Sequence, residues 1–261
     1  MMTRSIRRAL VVLSVLLLGM MQVQAASTHT NHPACGTSCS HDTAHTSLSA
    51  ASWSPSYVLS GDRYMTSDIT VARDITVSGS ARLCLNGNTL TFTEGYGLRV
   101  KAGASLELCD CRGTGGIVYD YTGGGSGAII NQGTLTIYGG QYCTDGKGYG
   151  LDNSGTLTIY GGTFGIELKN SGTAVIYDAD FDLPEPNYSP YPYAIRNASG
   201  KSVTIYDGTF RAYGYALYNQ GTATIRGGTF RCLRNDDIRG DCIYNKDLMY
   251  LHDGDISAVK G

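Results

Sequence analysis

The sequence predicts an all-β solenoid, a coil of short β-strand rungs stacked along one axis. Six copies of one phrase fill the second half of the chain. Each has an apolar residue two places before an asparagine, and most continue with a Thr-rich strand and a Gly-Gly or Asp-Gly turn. The anchor asparagines are 22, 17, 27, 22 and 26 residues apart. These spacings are too short for a propeller blade and too irregular for a leucine-rich repeat, but they suit a coil with loops of varying length.

The side-chain period of two in a strand predicts which residues face the core. We expect two inward apolar columns in the strand after each anchor. A third follows the turn, where glycine permits the positive φ of a sharp corner. The three columns are Leu135, Leu157, Ala174, Val203, Ala223 and Met249; Ile137, Ile159, Ile176, Ile205, Ile225 and Leu251; and Tyr142, Phe164, Phe181, Phe210, Phe230 and Ile256.

The anchor asparagines are predicted to be structural. Stacking rungs about 4.8 Å apart lets each side-chain amide bond to the asparagine above and below it, as in cross-β stacks. The six residues of this ladder are Asn131, Asn153, Asn170, Asn197, Asn219 and Asn245.

Residues 1–25 have the features of a secretory signal peptide. Three arginines precede the apolar run of residues 9–21, and Val23-Gln24-Ala25 gives a small-residue cleavage site. The run is too short to span a bilayer comfortably and no second one follows, so we expect a secreted protein without a membrane span. Removing three of the 20 basic residues leaves 17 against 22 acidic ones, a net charge of −5. Nucleic acid is therefore a poor candidate partner.

Residues 26–55 form a different segment, rich in Ser, Thr, Ala and His and without strand periodicity. Cys35, Cys39, His41 and His45 would supply the two thiolates and two imidazoles of a tetrahedral zinc site. The alternative is a small Cys35–Cys39 disulfide loop with solvated histidines, which suits an oxidising compartment.

The remaining cysteines indicate disulfides, whose connectivity the spacing does not determine. Cys232 and Cys242 bracket one excursion that leaves and rejoins a rung, and they are the pair we predict to be joined. Four more cysteines lie on successive early turns, and one arrangement pairs Cys84 with Cys109 and Cys111 with Cys143.

Four segments carry a resemblance to a known family. They are Cys35-Gly36-Thr37-Ser38-Cys39-Ser40-His41, Leu83-Cys84-Leu85-Asn86-Gly87, Leu106-Glu107-Leu108-Cys109-Asp110-Cys111 and the repeated Gly-Thr-x-Thr-Ile-x-x-Gly-Thr-Phe. Over nearly all of residues 35–256 the chain resembles exported bacterial surface proteins of the pectate-lyase-like superfamily. The resemblance implies a right-handed parallel β-helix, here over residues 56–261. It implies little about activity, because that superfamily holds polysaccharide lyases and hydrolases, but also adhesins and carbohydrate-binding modules.

An outward column beside the core isoleucines is the first candidate ligand-binding surface. It comprises Tyr138, Tyr160, Tyr177 and Tyr206, with Arg226 at the same position one rung later. Stacked phenol rings would make an apolar strip with hydrogen-bonding tips, and sugar rings pack on such surfaces. The alternative is a solvent-side aromatic ladder that only adds cross-strand packing.

A second outward column, directly before the asparagines, is charged. Lys169 and Arg196 are expected one rung apart, with Asp152 below and Glu167 alongside. As a binding site the two cations would grip an acidic sugar, and in a lyase one of them would be the catalytic base. The alternative is a set of alternating surface charges that support the sheet.

Residues 182–193 hold four of the six prolines and are predicted to project as a semi-rigid loop. Its Tyr188 and Tyr191 are further candidate ligand contacts. Beside this loop, Asp178 and Asp207 occupy the same corner of adjacent rungs, with Asp180 nearby. Close carboxylates repel one another unless a cation or proton relieves them, so a calcium site is one interpretation of this corner.

Taken together, these features predict a non-enzymatic β-helix protein on a bacterial cell surface. It would bind a polysaccharide or cell-surface glycan and require no cofactor. One alternative is a polysaccharide lyase or hydrolase acting on acidic glycans, with calcium at the aspartates and Arg196 or Lys169 as the base if it is a lyase. Another is a purely structural stalk. No polar cap follows Ile256, which predicts end-to-end association or a missing C-terminal domain.

Overall fold

The chain forms a parallel β-helix. The computed structural model describes residues 57–120, 128–144, 150–183, 193–233 and 242–258, with the backbone of residues 46–48. Within these ranges every regular element is a strand. The predicted signal peptide, the zinc candidates Cys35, Cys39, His41 and His45, and the loop tyrosines Tyr188 and Tyr191 lie outside the described residues.

Within the described residues, 26 strands wind around the axis, three per rung from β6 onward. In chain order they are β1 (Thr46–Leu48), β2 (Val58–Met65), β3 (Ile69–Val71), β4 (Ile75–Cys84), β5 (Thr89–Phe92), β6 (Leu98–Val100), β7 (Ser105–Cys109), β8 (Gly116–Tyr119), β9 (Ile129–Asn131), β10 (Thr134–Ile137), β11 (Gln141–Thr144), β12 (Leu151–Asn153), β13 (Thr156–Ile159), β14 (Thr163–Phe164), β15 (Leu168–Asn170), β16 (Thr173–Ile176), β17 (Asp180–Leu183), β18 (Ile195–Asn197), β19 (Ser202–Ile205), β20 (Thr209–Ala212), β21 (Leu217–Asn219), β22 (Thr222–Ile225), β23 (Thr229–Cys232), β24 (Ile243–Asn245), β25 (Met249–Leu251) and β26 (Asp255–Ala258).

The strands form two parallel sheets. The larger has 17 strands, because the first two strands of each rung both belong to it, and the smaller has nine, running from β3 to β26. Equivalent residues of successive rungs are direct neighbours, so that Leu157, for example, pairs with Leu135 on one side and Ala174 on the other. This register carries every position of the repeat into a column along the axis.

The three inward columns form a continuous core. Leu157, Ile159 and Phe164 have no exposed surface, and the aromatic rings stack along the axis with centroids 4.8 Å apart between Tyr142 and Phe164. Burying each such ring stabilises the fold by about 1.5–3 kcal/mol. The last rung differs, because Leu251 is 50% and Ile256 is 42% exposed; the prediction of three inward columns is therefore confirmed up to β23.

The anchor asparagines form an unbroken hydrogen-bond ladder. From each rung to the next, the side-chain Nδ2 donates to the neighbouring Oδ1 at 2.7–2.8 Å, from Asn131 to Asn245. The same amides also donate to backbone carbonyls, as Asn170 Nδ2 does to Ser202 O at 2.9 Å. Except at Asn245 the ladder residues are buried. The ladder therefore provides hydrogen-bond partners for buried side-chain amides that water does not reach.

Glycine is required at two turns of the repeat. At the corner before the third strand, the second residue of the Gly-Gly or Asp-Gly turn is a glycine with a positive φ, +126° at Gly162 and +126° at Gly208. After the asparagine, a Cβ on Gly155 would collide with the carbonyl oxygen of Gly133 in the preceding rung, and one on Gly172 with that of Gly155. Because glycine has no side chain, the backbones of successive rungs can approach each other closely at this turn.

The sheet begins earlier than the sequence predicts. Thr46–Leu48 pairs in parallel with Arg63–Met65 of β2, although residues 26–55 show no strand periodicity. A three-residue strand is too short for an alternating pattern to be recognised, and its pairing depends on the open edge of β2.

Candidate functional site

The face of the larger sheet between β10 and β22 is a regular array of hydroxyl groups. Each strand presents outward positions in register with those of its neighbours. The first two outward positions of each strand carry a hydroxyl in every case except Val175: Thr134, Thr136, Thr156, Thr158, Thr173, Ser202, Thr204, Thr222 and Thr224. The array is one strand wide and as long as the stacked rungs, a shape that suits an extended ligand.

The tyrosine column, Tyr138, Tyr160, Tyr177 and Tyr206, borders this array. Successive ring centroids are 5.1, 4.8 and 4.9 Å apart, and the ring planes differ by 2°, 3° and 9°. Arg226 continues the column, with its guanidinium carbon 5.4 Å from the centroid of Tyr206. As whole residues, Tyr160, Tyr177 and Tyr206 remain 40–45% exposed.

The orientation of these rings changes what they offer a ligand. Because neighbouring rings are parallel and one rung apart, each covers a face of the next. Arg226 lies over Tyr206 at one end, and at the other Tyr138 packs against a buried cluster of cysteines. Burial and the nearby Glu107 raise the pKa of the Tyr138 phenol. The column therefore presents ring edges and phenol hydroxyls to solvent. The rings stack with hydrogen-bonding tips, as the sequence predicts, and the packing of sugar rings on this strip stays a prediction.

Shallow clefts lie at both ends of the tyrosine column. One, of about 390 Å³, is lined by Ser80, Arg82, Glu107 and the threonines of β10. In it Arg82 Nε is 3.2 Å from Glu107 Oε2 and 3.7 Å from Asp62 Oδ1. The other, of about 500 Å³, is lined by Tyr206, Arg226 and residues of the last corner. Sequence patterns did not indicate the first cleft, because the early rungs lack the asparagine anchor that aligns the later ones.

In the charged column, Arg196 is fixed by an ion pair. Its Nε lies 2.8 Å from Glu167 Oε1, and its Nη2 donates to Oε2 at 3.3 Å. Burial raises the pKa of Glu167, and Arg196 partly offsets this. A guanidinium stays protonated in proteins. This arrangement therefore supports a positioned cation at Arg196 and not a proton acceptor.

Asp152 and Lys169 line a smaller cleft of about 220 Å³ on the same column. Burial raises the pKa of the Asp152 carboxyl, and Lys169, Arg99 and Arg196 each lower it by a smaller amount. The two side chains are neighbours across β12 and β15. Lys169 and Arg196 are in turn neighbours across β15 and β18, as the sequence predicts.

A tyrosine–cation cluster beside Arg196 is a feature that sequence reasoning missed. Tyr193 and Tyr215 stack with centroids 5.7 Å apart, and Tyr218 and Tyr244 stack at 5.0 Å. The two pairs are tilted against each other by 52–59°. The Arg196 guanidinium carbon lies 4.5 Å from the Tyr193 centroid, and Lys246 Nζ lies 5.5–5.7 Å from those of Tyr244 and Tyr218. The signal in the sequence is the parallel between Tyr193-Ala194-Ile195 and Tyr215-Ala216-Leu217, which the proline-rich insertion obscures.

The acidic corner has the repulsion that the sequence predicts. After burial, the neighbouring Asp207 and Asp180 are the main causes that raise the pKa of Asp178. Asp207 also accepts a hydrogen bond from the Gly208 amide at 2.8 Å. Among the described residues, no group of three or more His, Cys, Asp or Glu side chains is arranged to hold a metal ion. The calcium site stays a prediction.

Cys232 and Cys242 are both buried, 1% and 4% exposed. Cys232 is the register neighbour of Ala212, and the Ala216 amide donates to the Cys242 carbonyl. The two cysteines thus occupy the ends of one corner, where the preceding rung has alanines. Their disulfide stays a prediction.

Comparison with known proteins returned no relative: no family model, no curated protein and no solved structure matches this chain. The resemblance to pectate-lyase-like proteins is supported only at the level of a parallel β-helix. In the part of the chain that the structure describes, no helix has the length and apolar character to cross a membrane.

Proposed function

We propose that this protein is an exported, non-catalytic β-helix that binds a polysaccharide along the tyrosine column and the adjoining hydroxyl array. The observation that carries the proposal is the in-register stack of four tyrosines at intervals of 4.8–5.1 Å, three of which, Tyr160, Tyr177 and Tyr206, are exposed. A polymer lying parallel to the axis would meet the same hydroxyls at every rung. Weak contacts repeated in this way add up through multivalency.

Hydrogen bonding, and not ring stacking, is the expected mode of recognition. Tyrosine and threonine hydroxyls both donate and accept, as sugar hydroxyls do. The clefts beside the column are shallow and open, which suits a polymer chain that passes over the surface. The tyrosine–cation cluster, where Lys246 lies over two rings, would add a site for an anionic substituent together with the exposed Lys169 one rung from Arg196.

One observation favours the enzymatic alternative. Asp152 and Lys169 are adjacent in a cleft, and burial raises the pKa of Asp152, a combination found at many catalytic sites. A lyase acting there would use Lys169 as the base.

The test replaces tyrosines of the column with phenylalanines, which removes the phenol hydroxyls and keeps the aromatic rings. The double variant Tyr160→Phe/Tyr177→Phe preserves the stack but loses two phenol groups at the centre of the column. With hydrogen bonds worth about 0.5–1.5 kcal/mol each, its affinity for an immobilised polysaccharide that retains the wild type should fall roughly 5- to 150-fold. The matched control is Tyr96→Phe/Tyr213→Phe, which makes the same change off the column and should bind normally. Equal binding by both folded variants would reject the column as the site.

A further inference from the structure

The tyrosine column continues toward the N-terminus as cysteines. Along the larger sheet, Tyr64 is the register neighbour of Cys84, and Cys84 is the neighbour of Cys109. The Tyr138 amide donates to the carbonyl of Leu108, which places Tyr138 directly after Cys109 in the same outward column. These side chains form a small apolar cluster outside the main core.

Cys111 folds back over this column. Its Sγ lies 3.1 Å from the Sγ of Cys84, although the two residues are 27 positions apart. Cys84 is 1% and Cys111 is 5% exposed. The two sulfurs therefore face each other inside the cluster, with Tyr64 and Tyr138 packed around them.

The surrounding corner holds Cys111 in this position. Asp110 accepts hydrogen bonds from the amides of Gly87 and Gly115, each at 2.6 Å. Asn86 in turn donates to the Met65 carbonyl at 2.9 Å. The charge-assisted bond from Gly87 ties the Asp110 turn to the rung of Cys84, and the bond from Gly115 fixes the carboxylate within its own turn. Cys111 is thereby fixed opposite Cys84 by groups other than the sulfurs.

We propose that Cys84 and Cys111 are joined by a disulfide that staples two rungs of the helix. The bond forms by thiol–disulfide exchange with an external disulfide oxidant, such as an oxidised dithiol oxidoreductase. Both thiols lose their protons, the two sulfurs form one bond, and the two electrons reduce the oxidant's disulfide to two thiols. This pairing differs from Cys84–Cys109 and Cys111–Cys143, which the positions of the cysteines on successive turns suggested.

Two consequences follow from the burial of the pair. Oxidation has to occur before the corner closes, because the folded cluster excludes an oxidant. Once formed, the bond should resist reductant in the native protein and become reducible only in denaturant. The disulfide also lies at the N-terminal end of the tyrosine column, because Tyr138 packs against the cysteine cluster.

The test is peptide mapping of the unreduced protein after thiol alkylation. Trypsin releases Leu83–Arg99 and Ala102–Arg112, and cleavage before Asp110 then separates Cys109 from Cys111. A cross-linked species of Leu83–Arg99 with Asp110–Arg112 would establish the bond. Cys84 linked to the Cys109 fragment or to another cysteine, or alkylated Cys84 and Cys111, would overturn the proposal.

Variants provide a second readout. Cys84→Ala, Cys111→Ala and the double variant should all lower the midpoint of thermal unfolding by a similar amount, roughly 5–15 °C, because a single bond is lost in each. Cys109→Ala is the matched control, equally buried, and it should keep the cross-linked species. Additive losses in the double variant would contradict a bond between the two residues.

Discussion

Replacing Asn170 with alanine should destabilise the fold more than any comparable change at the end of the ladder. The Asn170 side chain accepts from Asn153 Nδ2 at 2.7 Å and donates to Asn197 Oδ1 at 2.8 Å and to Ser202 O at 2.9 Å. It also bonds both the amide and the carbonyl of Gly172, each at 3.3 Å. Alanine removes all of these contacts in the middle of the stack, where Asn170 has no exposed surface.

The expected cost comes mainly from the partners left behind. Asn153 Nδ2 keeps two backbone carbonyls, at 3.1 and 3.3 Å. Asn197 Oδ1 loses the amide that bonds it across the rungs, and the Ser202 carbonyl loses its side-chain donor. With a buried unsatisfied group costing about 1–3 kcal/mol, we expect a loss of about 2–4 kcal/mol.

Urea unfolding followed by far-ultraviolet circular dichroism measures this loss. Asn245→Ala is the control, because Asn245 bonds Asn219 and the Asp247 carbonyl but is exposed, so that water replaces what is lost. Its cost should stay below about 1 kcal/mol. If the two variants lose the same stability, or if Asn170→Ala is as stable as the wild type, the interior ladder does not contribute as described.

Three further predictions concern charge and cysteines. Burial raises the pKa of Asp152, so the folded chain binds this proton more tightly than the unfolded chain, and wild-type stability should fall as pH rises above the ordinary pKa of 3.8. Asp152→Asn should reduce that fall. A variant whose stability depends on pH as the wild type's does would contradict this prediction. Cys232 and Cys242 should appear as one cross-linked species in an unreduced digest, not as two alkylated peptides. Calcium should raise the unfolding midpoint of the wild type more than that of Asp178→Asn, because a bound cation relieves the repulsion between Asp178 and Asp207. If calcium leaves the wild-type midpoint unchanged, the predicted calcium site is wrong.

The sequence predicts most of the core because each rung repeats the same chemical demands. An inward leucine or isoleucine, an amide that needs partners above and below, and a glycine corner recur at fixed offsets from every anchor. Residues such as Ile159, Asn153 and Gly162 can therefore be placed without knowing the loops between rungs.

The candidate site was harder to predict, because side-chain orientation depends on neighbouring rungs. The period of two places Tyr177 on the outside, but only packing against Tyr160 and Tyr206 decides that ring edges, and not faces, meet solvent. The approach of Cys111 to Cys84 lies in rungs without an asparagine anchor, where register is not visible in the sequence. The ring orientation and the approach of the two cysteines both depend on contacts between successive rungs.

The most direct test of the central claim incubates the purified protein with a panel of neutral and acidic polysaccharides, with and without calcium. Retention on the immobilised polymer and the appearance of new unsaturated or reducing ends are measured on the same samples. A non-catalytic binder retains at least one polymer, leaves its chain ends unchanged, and loses retention in Tyr160→Phe/Tyr177→Phe. New chain ends would contradict the account and direct attention to Asp152 and Lys169, whereas no retention of any polymer would leave a structural stalk as the better description.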